Sequence, residues 1–84
     1  MAVIAIKPAE LEAVALAVTH GVTGRRPCRH TRMKCLGSGT DRVAIARALM
    51  VMFGWEIEAR WLDEGTFGGF LDRLASLGPI EVWA

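Results

Sequence analysis

Apolar residues recur at helical spacing near the start of the chain. They occupy positions i, i+3, i+4 and i+7 of one stretch: Leu11, Val14, Ala15 and Val18. This spacing puts the four side chains on one face and predicts an amphipathic helix. Pro8 suits a first helical position and Gly21 suits a stop, so we expect the helix to run from about Pro8 to His20.

A second apolar stripe at helical spacing lies in the middle of the chain. It consists of Val43, Ala46, Leu49, Met50 and Phe53. Ser38 or Thr40 can cap the start of this helix, Asp41 suits its first turn, and Gly54 can end it. The pattern therefore predicts a helix that begins at Ser38 or Thr40 and ends near Phe53.

Two shorter helices are expected in the last third of the chain. The first covers about Ala59–Glu64. The second begins after Thr66, a favourable N-cap, and has apolar residues at helical spacing. These residues are Phe67, Phe70, Leu71 and Leu74. Gly78-Pro79 breaks this helix, and Ile80–Ala84 are expected to form a tail whose Trp83 packs back or meets a partner.

Residues 21–39 between the first two helices are rich in glycine and show little periodicity. A connection of this length is unusual in a small domain, where most connections are a few residues long. We therefore expect this segment to be either functional or partly structured.

Composition places the chain among small globular proteins. Its 84 residues, 52% of them hydrophobic and 23% charged, are enough for one compact domain over residues 1–84. No apolar run approaches the roughly 20 residues of a membrane span, and the start lacks the basic region of a signal peptide. We expect a cytoplasmic monomer in which Cys28 and Cys35 are reduced thiols.

The charges are unevenly distributed. Residues 25–53 hold seven basic side chains and one acidic one, whereas residues 54–84 hold six acidic side chains and two basic ones. This pattern indicates either internal pairing between the two parts or the steering of a charged partner.

Three pieces of the sequence resemble the acyl and peptidyl carrier proteins. Leu36-Gly37 is similar to the family's Leu-Gly-x-Asp-Ser-Leu, and Phe53-Gly54-Trp55-Glu56-Ile57 is similar to the Phe-Gly-(Val)-Glu-Ile after its second helix. Thr66 to Leu74 resembles the family's fourth helix. The resemblance covers about residues 33–77. It implies an all-α fold, a four-helix carrier-protein-like bundle with a long first loop and a short third helix.

The carrier family bears 4'-phosphopantetheine on a serine at the start of the second helix. Counting back from Phe53 by the family's spacing reaches Gly39, whereas counting forward from Leu36-Gly37 reaches Thr40. Neither residue is a serine, and the aspartate that normally precedes the serine is missing. Ser38 is the only serine nearby and is our candidate for the attachment site. Thr40 is less suited because its methyl group crowds the hydroxyl.

The resemblance also implies that partner enzymes dock on the second helix. The residues expected on that surface are Thr40, Arg42, Ala44, Arg47 and Val51. The implied function is to tether intermediates for enzymes of polyketide, nonribosomal-peptide or fatty-acid-type biosynthesis, without catalysis by the domain itself. The alternative is a degenerate carrier that lacks the arm and acts as a docking or scaffold module.

The sequence contains residues of two other types of site, a zinc site and a phosphate-binding segment. His20, Cys28, His30 and Cys35 have the ligand types that zinc prefers, but their spacing matches no common zinc site, so no metal is predicted. The basic segment 25–34 could contact phosphates, which keeps a small nucleic-acid-binding protein as a third alternative. That segment has no interleaved aromatic residue for base stacking, and a pI near 7.9 argues against nucleic acid.

Overall fold

The computed structural model describes residues 2–4, 7–77 and 80–82 of the chain, and the side chains of residue 7 and of residues 9–77. In order, its elements are strand β1 (Ala2–Ile4), helix α1 (Pro8–Thr23), helix α2 (Gly39–Phe53), helix α3 (Phe67–Ala75) and strand β2 (Ile80–Val82). Short 3₁₀ turns at Met33–Cys35 and Ala59–Leu62 lie in the two long connections. The chain is mainly helical, as predicted. Gly78-Pro79 and Trp83 lie outside the described residues.

Helix α1 is longer than predicted. It continues through Gly21 to Thr23, whose hydroxyl donates to the backbone oxygen of Thr19 at 2.8 Å. Gly24 ends the helix with φ of 74°, a left-handed conformation that glycine adopts without strain, and its amide bonds the oxygen of His20. The predicted apolar face is confirmed, since Leu11 and Ala15 are buried in it.

Helix α2 begins and ends where the sequence indicates, between Ser38 and Gly54. Its inward face differs from the predicted stripe. Ile45, Ala46 and Leu49 are buried, whereas the predicted core residue Val43 is 43% exposed. The helix is therefore rotated so that Ile45, rather than Val43, faces the core.

The predicted short third helix, Ala59–Glu64, is present at this place only as a 3₁₀ turn. Residues Ala59–Leu62 form a 3₁₀ turn that buries Leu62, so the described residues contain three α-helices rather than four. The amides of Trp61 and Asp63 bond the carbonyls three positions earlier, those of Glu58 and Arg60, which is the 3₁₀ pattern. The fourth predicted helix is confirmed as α3, with the Thr66 side chain accepting from the amide of Gly69.

The long connection between α1 and α2 is ordered because it caps α3. Amides of the first turn of a helix have no partner within the helix. The carbonyl of Thr31 accepts from the amide of Phe67 at 2.7 Å, and that of Arg29 accepts from the amide of Gly68 at 3.0 Å. Met33, in the same connection, is buried. The segment is thus partly structured, one of the two outcomes predicted.

The core lies where α1 packs against both α2 and α3. Phe67, Phe70 and Leu74 of α3 are almost completely buried in it, with Leu11 of α1 and Leu49 of α2. Burial of each such side chain stabilises the fold by roughly 1.5–3 kcal/mol.

The two strands were not predicted. β1 and β2 pair antiparallel, with Val3 opposite Glu81, and this joins the two ends of the described chain. Within the ranges that the structure describes, every helix is too short or too polar to cross a lipid bilayer.

Candidate functional site

Ser38 lies at the N-cap of α2 and is exposed to solvent. Its hydroxyl oxygen accepts a hydrogen bond from the amide of Asp41 at 3.1 Å, and its own amide donates to the Asp41 carboxylate at 3.0 Å. The two bonds form a capping box, which satisfies amides that the helix leaves free. The arrangement fixes the Ser38 backbone while the side chain stays at the surface.

The turn before Ser38 depends on Gly37. This residue has φ of 64°, and a Cβ in its place would collide with the Asp41 side chain. Glycine is therefore required at position 37 for two reasons: the positive φ of its backbone and the close approach of the Asp41 side chain. The Leu36-Gly37 pair that carries part of the family resemblance positions the cap.

Arg42 does not lie on the exposed side of α2, which corrects the exposure expected for it. Only 13% of its side chain is exposed. Its guanidinium donates to the backbone oxygens of Lys34 and Gly37 at 3.1 and 3.0 Å, and to the Asp63 carboxylate at 3.2 Å. Arg42 thus holds the end of the long connection against α2 and against the residues after the second 3₁₀ turn.

The other four expected docking residues are all exposed. They are Thr40, Ala44, Arg47 and Val51, and we refer to them as the outer face of α2. Val51 is 85% exposed. Arg47 makes no ion pair with any side chain that the structure describes. The outer face therefore offers small and apolar groups around one free cation.

The uneven charge distribution results partly in internal pairing. Arg29 of the basic segment bonds Asp72 of α3 at 2.8 Å and lies 3.6 Å from Glu12 of α1. The hydrogen bond and charge of Asp72 raise the pKa of the Arg29 guanidinium. The sequence suggested pairing between the two regions, but nothing in it singled out Arg29 as the residue that joins α1, the connection and α3.

Cys28 and Cys35 are free thiols, and both are exposed. The Thr31 hydroxyl lies 3.4 Å from the Cys28 sulfur, and this hydrogen bond, aided by the backbone at His30, lowers the pKa of the Cys28 thiol below its ordinary value. The described residues contain no group of three or more His, Cys, Asp or Glu side chains arranged to hold a metal ion.

Comparisons of this chain with protein-family models, with curated proteins and with solved structures found no match. The geometry around Ser38 and the outer face of α2 is therefore the basis on which a function is proposed.

Proposed function

We propose that this chain is a carrier-protein-like domain that presents a group attached to Ser38 and docks on partner enzymes through the outer face of α2. One observation supports this proposal above the others. The candidate serine stands exposed at the N-cap of the helix whose outer face carries the expected docking residues. The attachment point and the recognition surface are then neighbours on one rigid element.

The surroundings of Ser38 fit a phosphopantetheine arm. The residue has a primary hydroxyl, and its neighbours Gly37 and Gly39 have no side chains to block a transferase. The hydroxyl oxygen accepts from Asp41 but donates to no group that the structure describes. In the transfer from coenzyme A, the Ser38 oxygen would form a bond to phosphorus, lose its proton and release adenosine 3',5'-bisphosphate. The positive end of the helix favours the resulting phosphodiester, and the neighbouring carboxylate of Asp41 opposes it.

The outer face of α2 supports docking by a partner of particular chemistry. Val51 and Ala44 offer apolar contact, and Arg47 supplies the only charge among the four residues of the face. A complementary surface would be apolar with an acidic group opposite Arg47, because like charges at an interface cost free energy. We propose that the partners are biosynthetic enzymes that act on the carried intermediate.

The attachment is tested by incubating the full chain with coenzyme A and a broad-specificity phosphopantetheinyl transferase, followed by intact-mass measurement under reducing conditions. Reduction removes disulfides between coenzyme A and the two thiols. We expect the wild-type chain to gain the mass of the arm, and Thr40→Ala to gain it equally. Ser38→Asn should gain none. Asparagine is a good N-cap without a nucleophilic hydroxyl, so this variant stays folded. Modification of Ser38→Asn would refute attachment at Ser38.

The second candidate is a docking module that carries no arm. The capping box favours it, because it gives the Ser38 hydroxyl a structural role that needs no modification. In that case neither the wild-type chain nor Thr40→Ala gains mass, while the outer face of α2 still binds its partner. The same mass measurement therefore separates the two candidates.

A further inference from the structure

Two adjoining grooves that share Arg26 run along the side of the domain formed by α1 and the segment after it. The first, of about 370 Å³, is lined by Ala13, Leu16, Ala17 and His20 of α1 together with Arg26. The second, of about 240 Å³, includes Arg25, Pro27 and Leu36 and extends to Gly37. Pockets that bind small molecules have volumes of about 300 Å³ or more. The two grooves together therefore provide room for a small extended molecule.

The lining of these grooves combines positive charge with aliphatic surface. Arg25 and Arg26 make no ion pair with any described carboxylate, and neither groove is lined by an acidic residue. Arg29, three positions further on, is held by Glu12 and Asp72. Arg29 is therefore neutralised by two carboxylates, whereas Arg25 and Arg26 in the grooves are paired with no described carboxylate.

A third groove, which shares no lining residue with the other two, provides the contrast. It is lined by Arg32 and Lys34, but Asp63 also lies in its wall, beside Gly65 and Thr66. An anion entering there would meet a carboxylate at once. Arg32 and Lys34 also make no ion pair with a described carboxylate, so Arg25 and Arg26 differ from them in that no carboxylate lines their grooves.

From this arrangement we propose that the shared grooves bind a soluble amphiphilic anion. Its phosphate or carboxylate head would lie between Arg25 and Arg26, where guanidinium groups make charge-assisted hydrogen bonds to both oxygens of such a head. Its aliphatic part would lie on Leu16 and Ala17 of α1, where it is removed from water. This proposal does not depend on the proposed function, since neither Ser38 nor the outer face of α2 takes part.

The proposal is tested by following backbone amide NMR shifts of the full chain during titration with octyl phosphate below its aggregation concentration. We expect saturable shifts at Ala17, Arg26 and Leu36. Octyl phosphate should bind at least about tenfold more tightly than inorganic phosphate or octanol, each of which supplies only half of the interaction. Equal binding of inorganic phosphate would overturn the amphiphile proposal.

Matched variants locate the site. Arg25→Ala/Arg26→Ala should weaken binding by about tenfold or more, whereas Arg32→Ala/Lys34→Ala removes the same charge and should change it by less than about twofold. Ala17→Asp should weaken binding and Ala44→Asp, an equal change on α2, should not. If the two variants of either pair lost affinity for octyl phosphate equally, the proposed location of the site would be wrong. Binding to phosphatidylglycerol vesicles without binding to octyl phosphate would also overturn it, in favour of a membrane surface.

Discussion

The backbone oxygen of Arg29 accepts a hydrogen bond from the amide of Gly68 at 3.0 Å, and the missing side chain of Gly68 makes this approach possible. A Cβ at Gly68 would lie 3.0 Å from both the Cβ and the carbonyl oxygen of Arg29. This contact joins the long connection to the start of α3, and the Arg29 guanidinium adds its bond to Asp72.

Gly68→Ala should destabilise the domain even though alanine is the better helix former. The added methyl group must displace the Arg29 backbone, which we expect to cost about 1–3 kcal/mol. Gly69→Ala is the matched control, because its Cβ would meet only Thr66 Oγ1 at an ordinary 3.5 Å. That variant should be neutral or more stable by up to about 1 kcal/mol. Urea unfolding measures both. Equal effects would contradict the close contact at Gly68.

The N-cap of α2 gives a second prediction. Ser38→Ala removes the acceptor for the Asp41 amide and should lower the free energy of unfolding by about 1 kcal/mol. Ser38→Asn restores an acceptor and should recover most of that loss in the same denaturation assay. If Ser38→Ala is as stable as the wild type, the hydroxyl does not cap the helix.

Arg42 should matter for stability and Arg47 should not. Arg42→Ala removes the donor to Lys34 and Gly37 and should destabilise the domain by roughly 1.5–3 kcal/mol. Arg47→Ala removes the same side chain from an exposed position of the same helix and should change stability by less than about 0.5 kcal/mol. Thermal and urea unfolding of the pair would show the difference. The opposite ranking would place Arg42 at the surface.

The Cys28 thiol should react at lower pH than an unperturbed cysteine. Because the Thr31 hydroxyl lowers its pKa, more thiolate is present at a given pH, and the thiolate is the reacting form. Thr31→Val should move the pH–rate profile of Cys28 alkylation to higher pH, whereas Thr31→Ser keeps the hydroxyl and should not. Alkylation is followed on the peptide that contains Cys28, separately from Cys35. An unchanged profile in Thr31→Val would contradict this cause.

The three α-helices were predictable because their signals are local. Capping residues such as Ser38 and Thr66 and the apolar spacing from Leu11 onwards depend only on neighbouring positions, and the structure places them as expected. The rotation of α2 was not predictable, because Val43 and Ile45 are both apolar. Tertiary packing selects between them.

The candidate site was only partly predictable for the same reason. Exposure of Ser38, Arg47 and Val51 follows from helix geometry once the buried face is known. The inward turn of Arg42 depends on carbonyls of the preceding connection and on Asp63, which lies far along the sequence. Pairing of β1 with β2 likewise joins the two ends of the chain, for which the sequence has no short-range signal.

Attachment of phosphopantetheine to Ser38 is tested decisively by peptide mapping after the transferase reaction. Cleavage after Lys34 and Arg42 releases residues 35–42, which contain Ser38 and Thr40 together with Cys35. After reduction and blocking of the thiols, fragmentation of this peptide should place the phosphopantetheine arm on Ser38. A peptide that remains unmodified under conditions that fully load a known carrier protein, or an arm located on Thr40, would contradict the account.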